Sequence, residues 1–178
     1  FETEFKLGLP DALNHENPMW RVKSYYPFPS VIDMGPDGSV WLLSQGNHYP
    51  DDPLPELLLR RFSPEGELLE TVGGPEEMTP QMRGLELHPE TGGFFVTNAR
   101  RGKVLQLDPD GGLVRTFGQG LLKSPGPMAL DLARGELLVA DVGNQQIRAF
   151  DLESGALLRS MTAPGMALKD FSNLDVHD

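Results

Sequence analysis

An internal repeat constrains this chain most, because a chain that repeats a short unit stacks copies of that unit instead of folding around one irregular core. Three anchors recur in register. An apolar–acidic–apolar triplet stands at Ile32-Asp33-Met34, Leu85-Glu86-Leu87, Leu130-Asp131-Leu132 and Leu174-Asp175-Val176. Phe62, Leu107 and Phe150 are each followed within five residues by Gly66, Gly111 and Gly155. Leu69-Glu70-Thr71-Val72-Gly73 matches Val114-Arg115-Thr116-Phe117-Gly118, with Leu158-Arg159-Ser160-Met161 as a looser third copy. The spacing is about 44 residues, within the roughly 40–50 of propeller blades.

Within a unit the pattern predicts four short strands, in the third unit Met128–Leu132, Glu136–Ala140, Gln146–Asp151 and Leu157–Met161. Ile147 and Ala149 flank Arg148, the two-residue period of a half-buried strand. Pro36-Asp37-Gly38, Pro64-Glu65-Gly66, Pro109-Asp110-Gly111-Gly112 and Glu153-Ser154-Gly155 each put a glycine where a tight hairpin needs positive φ. The expected fold is all-β: a β-propeller of four-stranded antiparallel blades, three complete and a fourth partial, with no helix beyond a turn or two. A β-sandwich is the alternative, and three anchors in matching register argue against it. The units are blade 1 at 27–74, blade 2 at 75–120, blade 3 at 121–161, and the first strand of a further blade at 162–178. The segment 1–26 offers strands, at Phe1–Leu9 and Trp20–Tyr26, that could close the last blade.

Composition excludes several functions. With no cysteine there is no disulfide, thiolate nucleophile or Cys-held metal. A net charge of −11 opposes nucleic-acid backbones and anionic lipid surfaces, so no nucleic acid is expected as partner. No apolar run is long enough to span a membrane. The chain opens on Phe1, as a processed protein or an excised piece would, and an extracytoplasmic (periplasmic or secreted) setting is the expectation.

The third unit resembles an NHL repeat. It reads Pro127-Met128-Ala129-Leu130-Asp131, then Leu137-Leu138-Val139-Ala140-Asp141, then Gly143-Asn144-Gln145-Gln146-Ile147. The second unit, Val96-Thr97-Asn98-Ala99-Arg100-Arg101-Gly102, loses the Asp and the Gly-Asn pair, and the first, Leu43-Ser44-Gln45-Gly46-Asn47-His48, keeps Gly-Asn without the Asp. The resemblance covers residues 27–178 and implies a propeller. Asp141, Gly143 and Asn144 are expected to act locally, a carboxylate and an amide bonding loop N–H groups to fix the turn between strands two and three.

Two propeller enzyme families are rivals. Peptidyl-hydroxyglycine amidating lyases are similar around Gly46-Asn47-His48 and hold zinc through His on successive first strands. Here Arg83, in Met82-Arg83-Gly84-Leu85, stands where that His would, and Pro127-Met128 has none. The histidines His15, His48, His88 and His177 show no ligand spacing, and His88, before Pro89, belongs to a turn at the end opposite His48. Gluconolactonase-like propellers hold a metal in the channel with Glu, Asn and Asp. Asp33, Glu86, Asp131 and Asp175 recur once per blade, but each lies between apolar neighbours, which favours hydrogen bonding at the core edge or between blades. No nucleophile elbow, Ser-His-Asp set or phosphate loop is present, so no catalytic residue, metal or cofactor is assigned.

One segment exceeds what a blade requires: the insertion Asn47–Glu56 between strands two and three of blade 1. It would emerge on the face that carries the blade-to-blade loops. Pro50, Pro53 and Pro55 stiffen it and lower the ordering cost of binding. His48, Tyr49, Asp51, Asp52 and Leu54 are the candidate partner contacts. The reading is a non-enzymatic module that binds another protein chain or a second copy, as an accessory subunit of a larger assembly that could be membrane-associated. The alternative is part of a propeller lyase or lactonase whose catalytic residues lie outside this chain.

Overall fold

The computed structural model describes residues 28–45, 58–75, 78, 81–162, 174 and 176. Strands β1 (Phe28–Met34), β2 (Val40–Gln45), β3 (Leu58–Phe62) and β4 (Leu68–Gly73) form one sheet. A second contains β5 (Met82–Leu87), β6 (Phe94–Asn98), β7 (Lys103–Leu107) and β8 (Leu113–Phe117). The third is β9 (Pro125–Asp131), β10 (Glu136–Asp141), β11 (Gln146–Asp151) and β12 (Leu157–Met161). Each sheet is an antiparallel meander in which chain order is sheet order, and no helix occurs among the described residues. The first strands lie side by side, β1 against β5 and β5 against β9. These are three blades of a β-propeller, as the repeat predicts.

Alternation within the middle blade shows why the blades stack. On β6, Phe94 and Val96 turn toward blade 1 and join Trp41, Leu43, Leu59 and Val72 in one core. Their neighbour Phe95 turns the other way and joins Phe117, Met128, Leu137, Val139 and Phe150 in a second core, against blade 3. A strand covered on both faces needs an unbroken apolar run, and every residue of Phe94–Asn98 is buried. The outermost strands have little to cover them: β12 is exposed throughout and β4 buries Val72 alone.

The predicted turn glycines adopt positive φ, at +80° for Gly38 and +86° for Gly111. Gly111 also has no room for a side chain, since a Cβ there would collide with the Gly73 carbonyl and Val72 of blade 1. Near the axis the first strands crowd, and a Cβ on Gly84 would stand 2.7 Å from the Gly126 carbonyl of the next blade.

The third unit departs from expectation at one end. β9 begins at Pro125 instead of Met128, and β10 runs on to Asp141. The extension crosses two prolines because β9 is the last strand of its sheet, where a missing N–H breaks no ladder on the open side, and a register shift between Val139 and Asp141 absorbs the irregularity. The expected closing strands at 1–26 lie outside the described residues, as does the partial blade at 162–178 apart from Thr162, Leu174 and Val176.

Candidate functional site

The recurring first-strand acids work between blades. Asp33 on β1 accepts a hydrogen bond from the Leu87 amide on β5 at 2.8 Å, and from its own neighbour Met34 at 2.7 Å. Glu86 on β5 accepts from the Leu130 amide on β9 at 3.4 Å. A first strand is the last strand of its sheet, so each acid satisfies an amide that the next blade's own ladder leaves free. Asp131 breaks the series: it is buried and accepts from the Arg134 amide at 3.0 Å and guanidinium at 2.7 Å within its own turn. That guanidinium holds the Asp131 carboxyl below its ordinary range. Among the described residues no three His, Asp or Glu side chains form a metal-binding group.

Asp141 and Asn144 reach further than a turn. The Asp141 side chain is buried, and one oxygen accepts the Lys123 and Ser124 amides at 3.1 and 3.2 Å, on the loop that carries the chain from blade 2 into blade 3. The other oxygen accepts from Asn144 Nδ2 at 2.6 Å and pairs with Arg148 at 3.3 Å. Asn144 Nδ2 also donates to the Leu121 carbonyl at 3.1 Å. Gly143 lies against Lys123, where a Cβ would stand 2.8 Å from that side chain. The motif therefore ties the β10–β11 turn to the loop entering its own blade.

Among the described residues, a site with open space lies at the other end of the sheets, between blades 1 and 2. A cleft of about 370 Å³ is bounded by the β1–β2 and β5–β6 turns and by Pro109 and Asp110 of the β7–β8 turn. Behind the β1–β2 turn, its blade 1 wall follows one rung across the sheet, Trp41 opposite Arg61 and Arg61 opposite Glu70. Facing pairs in an antiparallel sheet put their side chains on one side. The Arg61 guanidinium accordingly lies 5.7 Å from the Trp41 ring centre, and Phe94 of blade 2 meets Trp41 edge-on at 4.6 Å. Arg61 donates to Asp37 at 2.5 Å and to Ser39 Oγ at 3.1 Å, with Glu70 at 3.7 Å. Ser39 donates to Asp37 through both its amide and its hydroxyl. The Ser39 bonds, then Arg61, hold the Asp37 carboxyl far below the usual carboxylate range, so it stays charged. On the blade 2 wall, His88 closes its turn with Gly92 and Gly93, accepts the Glu90 amide at 3.3 Å, and stacks on Phe95.

Sequence reasoning did not bring Trp41, Arg61 and Glu70 together. The signal was present in the hairpins, since turn length sets register and register sets which residues share a rung. The insertion residues His48, Tyr49, Asp51, Asp52 and Leu54 lie outside the described residues.

No protein-family model matches this sequence, and no curated protein sequence does either. Solved structures do resemble it. A catalytically inactive virginiamycin B lyase from Staphylococcus aureus shares 16% identity at a TM-score of 0.58, over 80% of this chain and 43% of that one. Hydrazine synthase of Kuenenia stuttgartiensis shares 19% at 0.60, over 80% and 38%. The Pan2 WD40 domain of Neurospora crassa shares 16% at 0.57, over 83% and 41%. Sheet order and these likenesses define the class as β-propeller. This chain spans less than half the length of those it matches.

Proposed function

We propose that this chain is a non-enzymatic, NHL-like propeller module that engages another protein chain or a second copy of itself, as an accessory subunit of a larger assembly. The observation that carries the reading is the outer face of blade 1. Ile32 and Met34 of the first strand point away from blade 2 and are 64% and 66% exposed. In a ring that face meets another sheet, and apolar side chains left in water favour association. The proline-bearing insertion Asn47–Glu56 supplies a second contact surface in this reading.

The Ile32→Glu/Met34→Glu variant tests the open face. It should abolish self-association in sedimentation velocity, or capture of the native partner, and leave the melting temperature within about 3 °C, because little is buried there. A wild-type chain that neither self-associates nor captures a protein sinks the reading. Exchanging Tyr49-Pro50-Asp51-Asp52 for Gly-Ser residues should weaken partner capture with a similarly small effect on melting. If that exchange unfolds the domain, the loop is a structural plug.

Two of the similar folds belong to enzymes, which favours a second reading: part of a propeller lyase or lactonase whose catalytic residues lie outside these 178 residues. Metal content and turnover of the full-length gene product separate the two.

A further inference from the structure

We propose that the cleft between blades 1 and 2 receives a lysine or arginine side chain from an extended segment of a partner protein, an inference that rests on the reading of the chain as an interaction module. Three carboxylates line the cleft, Asp37, Glu70 and Asp110, against one guanidinium. That guanidinium is already committed: Arg61 is held by Asp37 and Ser39 and lies over Trp41. An anion entering here would have to displace Asp37 from a charge-assisted bond, which opposes binding. A cation meets the reverse situation. Glu70 is held only loosely by Arg61, at 3.7 Å, and among the described residues nothing pairs with the Asp110 carboxylate.

The remaining surface suits a methylene stem. Pro36, Pro89 and Pro109 present fixed rings, and Leu87 adds apolar wall. Long basic side chains bury such a stem while keeping the charged head among polar groups. The turns carrying these prolines are closed by backbone bonds, Gly38 N to Gly35 O and Gly111 N to Asp108 O at 3.0 Å, and Gly92 N to His88 O at 2.9 Å. A site already in shape loses little ordering entropy on binding. About 370 Å³ is at the small end of ligand sites, which run from roughly 300 to 1,000 Å³, so the cleft takes one long side chain with its backbone neighbours. The chain's net charge of −11 adds long-range attraction for a basic segment.

The probe is a fluorescein-labelled Gly-Ala-Lys-Ala-Gly peptide, with arginine, norleucine or glutamate versions at the central position. Polarisation should show weak binding of the lysine or arginine peptide, whichever is the preferred head, and none of the glutamate peptide. The Glu70→Gln/Asp110→Asn variant should weaken binding by about three- to tenfold, as expected for two partly exposed charge pairs. Glu65→Gln/Glu153→Gln makes the same charge change at residues outside the cleft's lining and should weaken binding much less. The Trp41 indole resonance should shift on titration. Equal binding of lysine and glutamate peptides overturns the proposal, as does equal weakening by the two double variants or an unmoved Trp41. Peptide binding is also measured on the Ile32→Glu/Met34→Glu variant. Binding that persists when self-association is gone shows that cleft and open face stand or fall separately.

Discussion

Replacing Asp141 with alanine should cost about 3–5 kcal/mol of folding stability, the range found when one partner of a buried ion pair is removed. For a chain of this length that lowers the melting temperature by about 10 °C, read by calorimetry or intrinsic fluorescence. The magnitude follows from what the carboxylate holds. Asp141 is fully buried and accepts from the Lys123 and Ser124 amides and from Asn144, while standing 3.3 Å from the Arg148 guanidinium. Alanine would strand two loop amides and leave Arg148, itself mostly buried, without its counter-charge. Asp141→Asn is the sharper comparison. It keeps one acceptor oxygen but presents an NH₂ where the other stood, so its cost should lie between wild type and alanine. Asn144→Ala should cost less than either, because only the bonds to Asp141 Oδ2 and the Leu121 carbonyl are lost. Equal melting of wild type and Asp141→Ala would show that the loop between blades does not depend on this carboxylate.

Phe117→Ala should cost a comparable amount, about 3–5 kcal/mol, the usual range for emptying a buried aromatic site. Phe117 is fully buried at the end of β8 and stands between two other rings, Phe95 at 5.9 Å from its own blade and Phe150 at 6.3 Å from blade 3. Alanine removes the middle ring, and the strands to either side are too well tied by their ladders to collapse into the space. Phe117→Leu retains most of the volume and should cost about 1–1.5 kcal/mol. A double-mutant cycle with Phe95→Leu should find a coupling of about 0.5–1.5 kcal/mol, the part owed to ring geometry. A cost under about 1 kcal/mol for the alanine variant would mean that blades 2 and 3 are not joined by this ladder.

The cleft and the repeat were unequally legible. Glycines at positive φ and the strand sequence within each unit follow from local pattern, because turn chemistry and period-two alternation act over a few residues. Apolar neighbours pointed Asp33 and Glu86 to the core edge or to a neighbouring blade, and only the packing of the blades decided for the neighbour. The Trp41–Arg61–Glu70 wall did not, since it depends on the register of two hairpins at once and on a second blade closing the other side. Asp131 likewise shares its motif with Asp33 and Glu86 but bonds Arg134, a partner three residues on that sits in its own turn.

The sequence by itself determined the all-β character, the number of strands per unit, the positions of the tight turns and the acid that each first strand carries. These depend on which residue follows which, through backbone sterics and alternation. Only the tertiary structure decided which blade each apolar face meets. Phe94 and Phe95 are chemically identical neighbours, yet one builds the core with blade 1 and the other the core with blade 3. It also decided that Asp141 ties down a loop 17 and 18 residues upstream, and that Ile32 and Met34 face outward. Period two divides a strand into two faces, but the direction in which successive sheets stack around the axis is set by the packing of all three together.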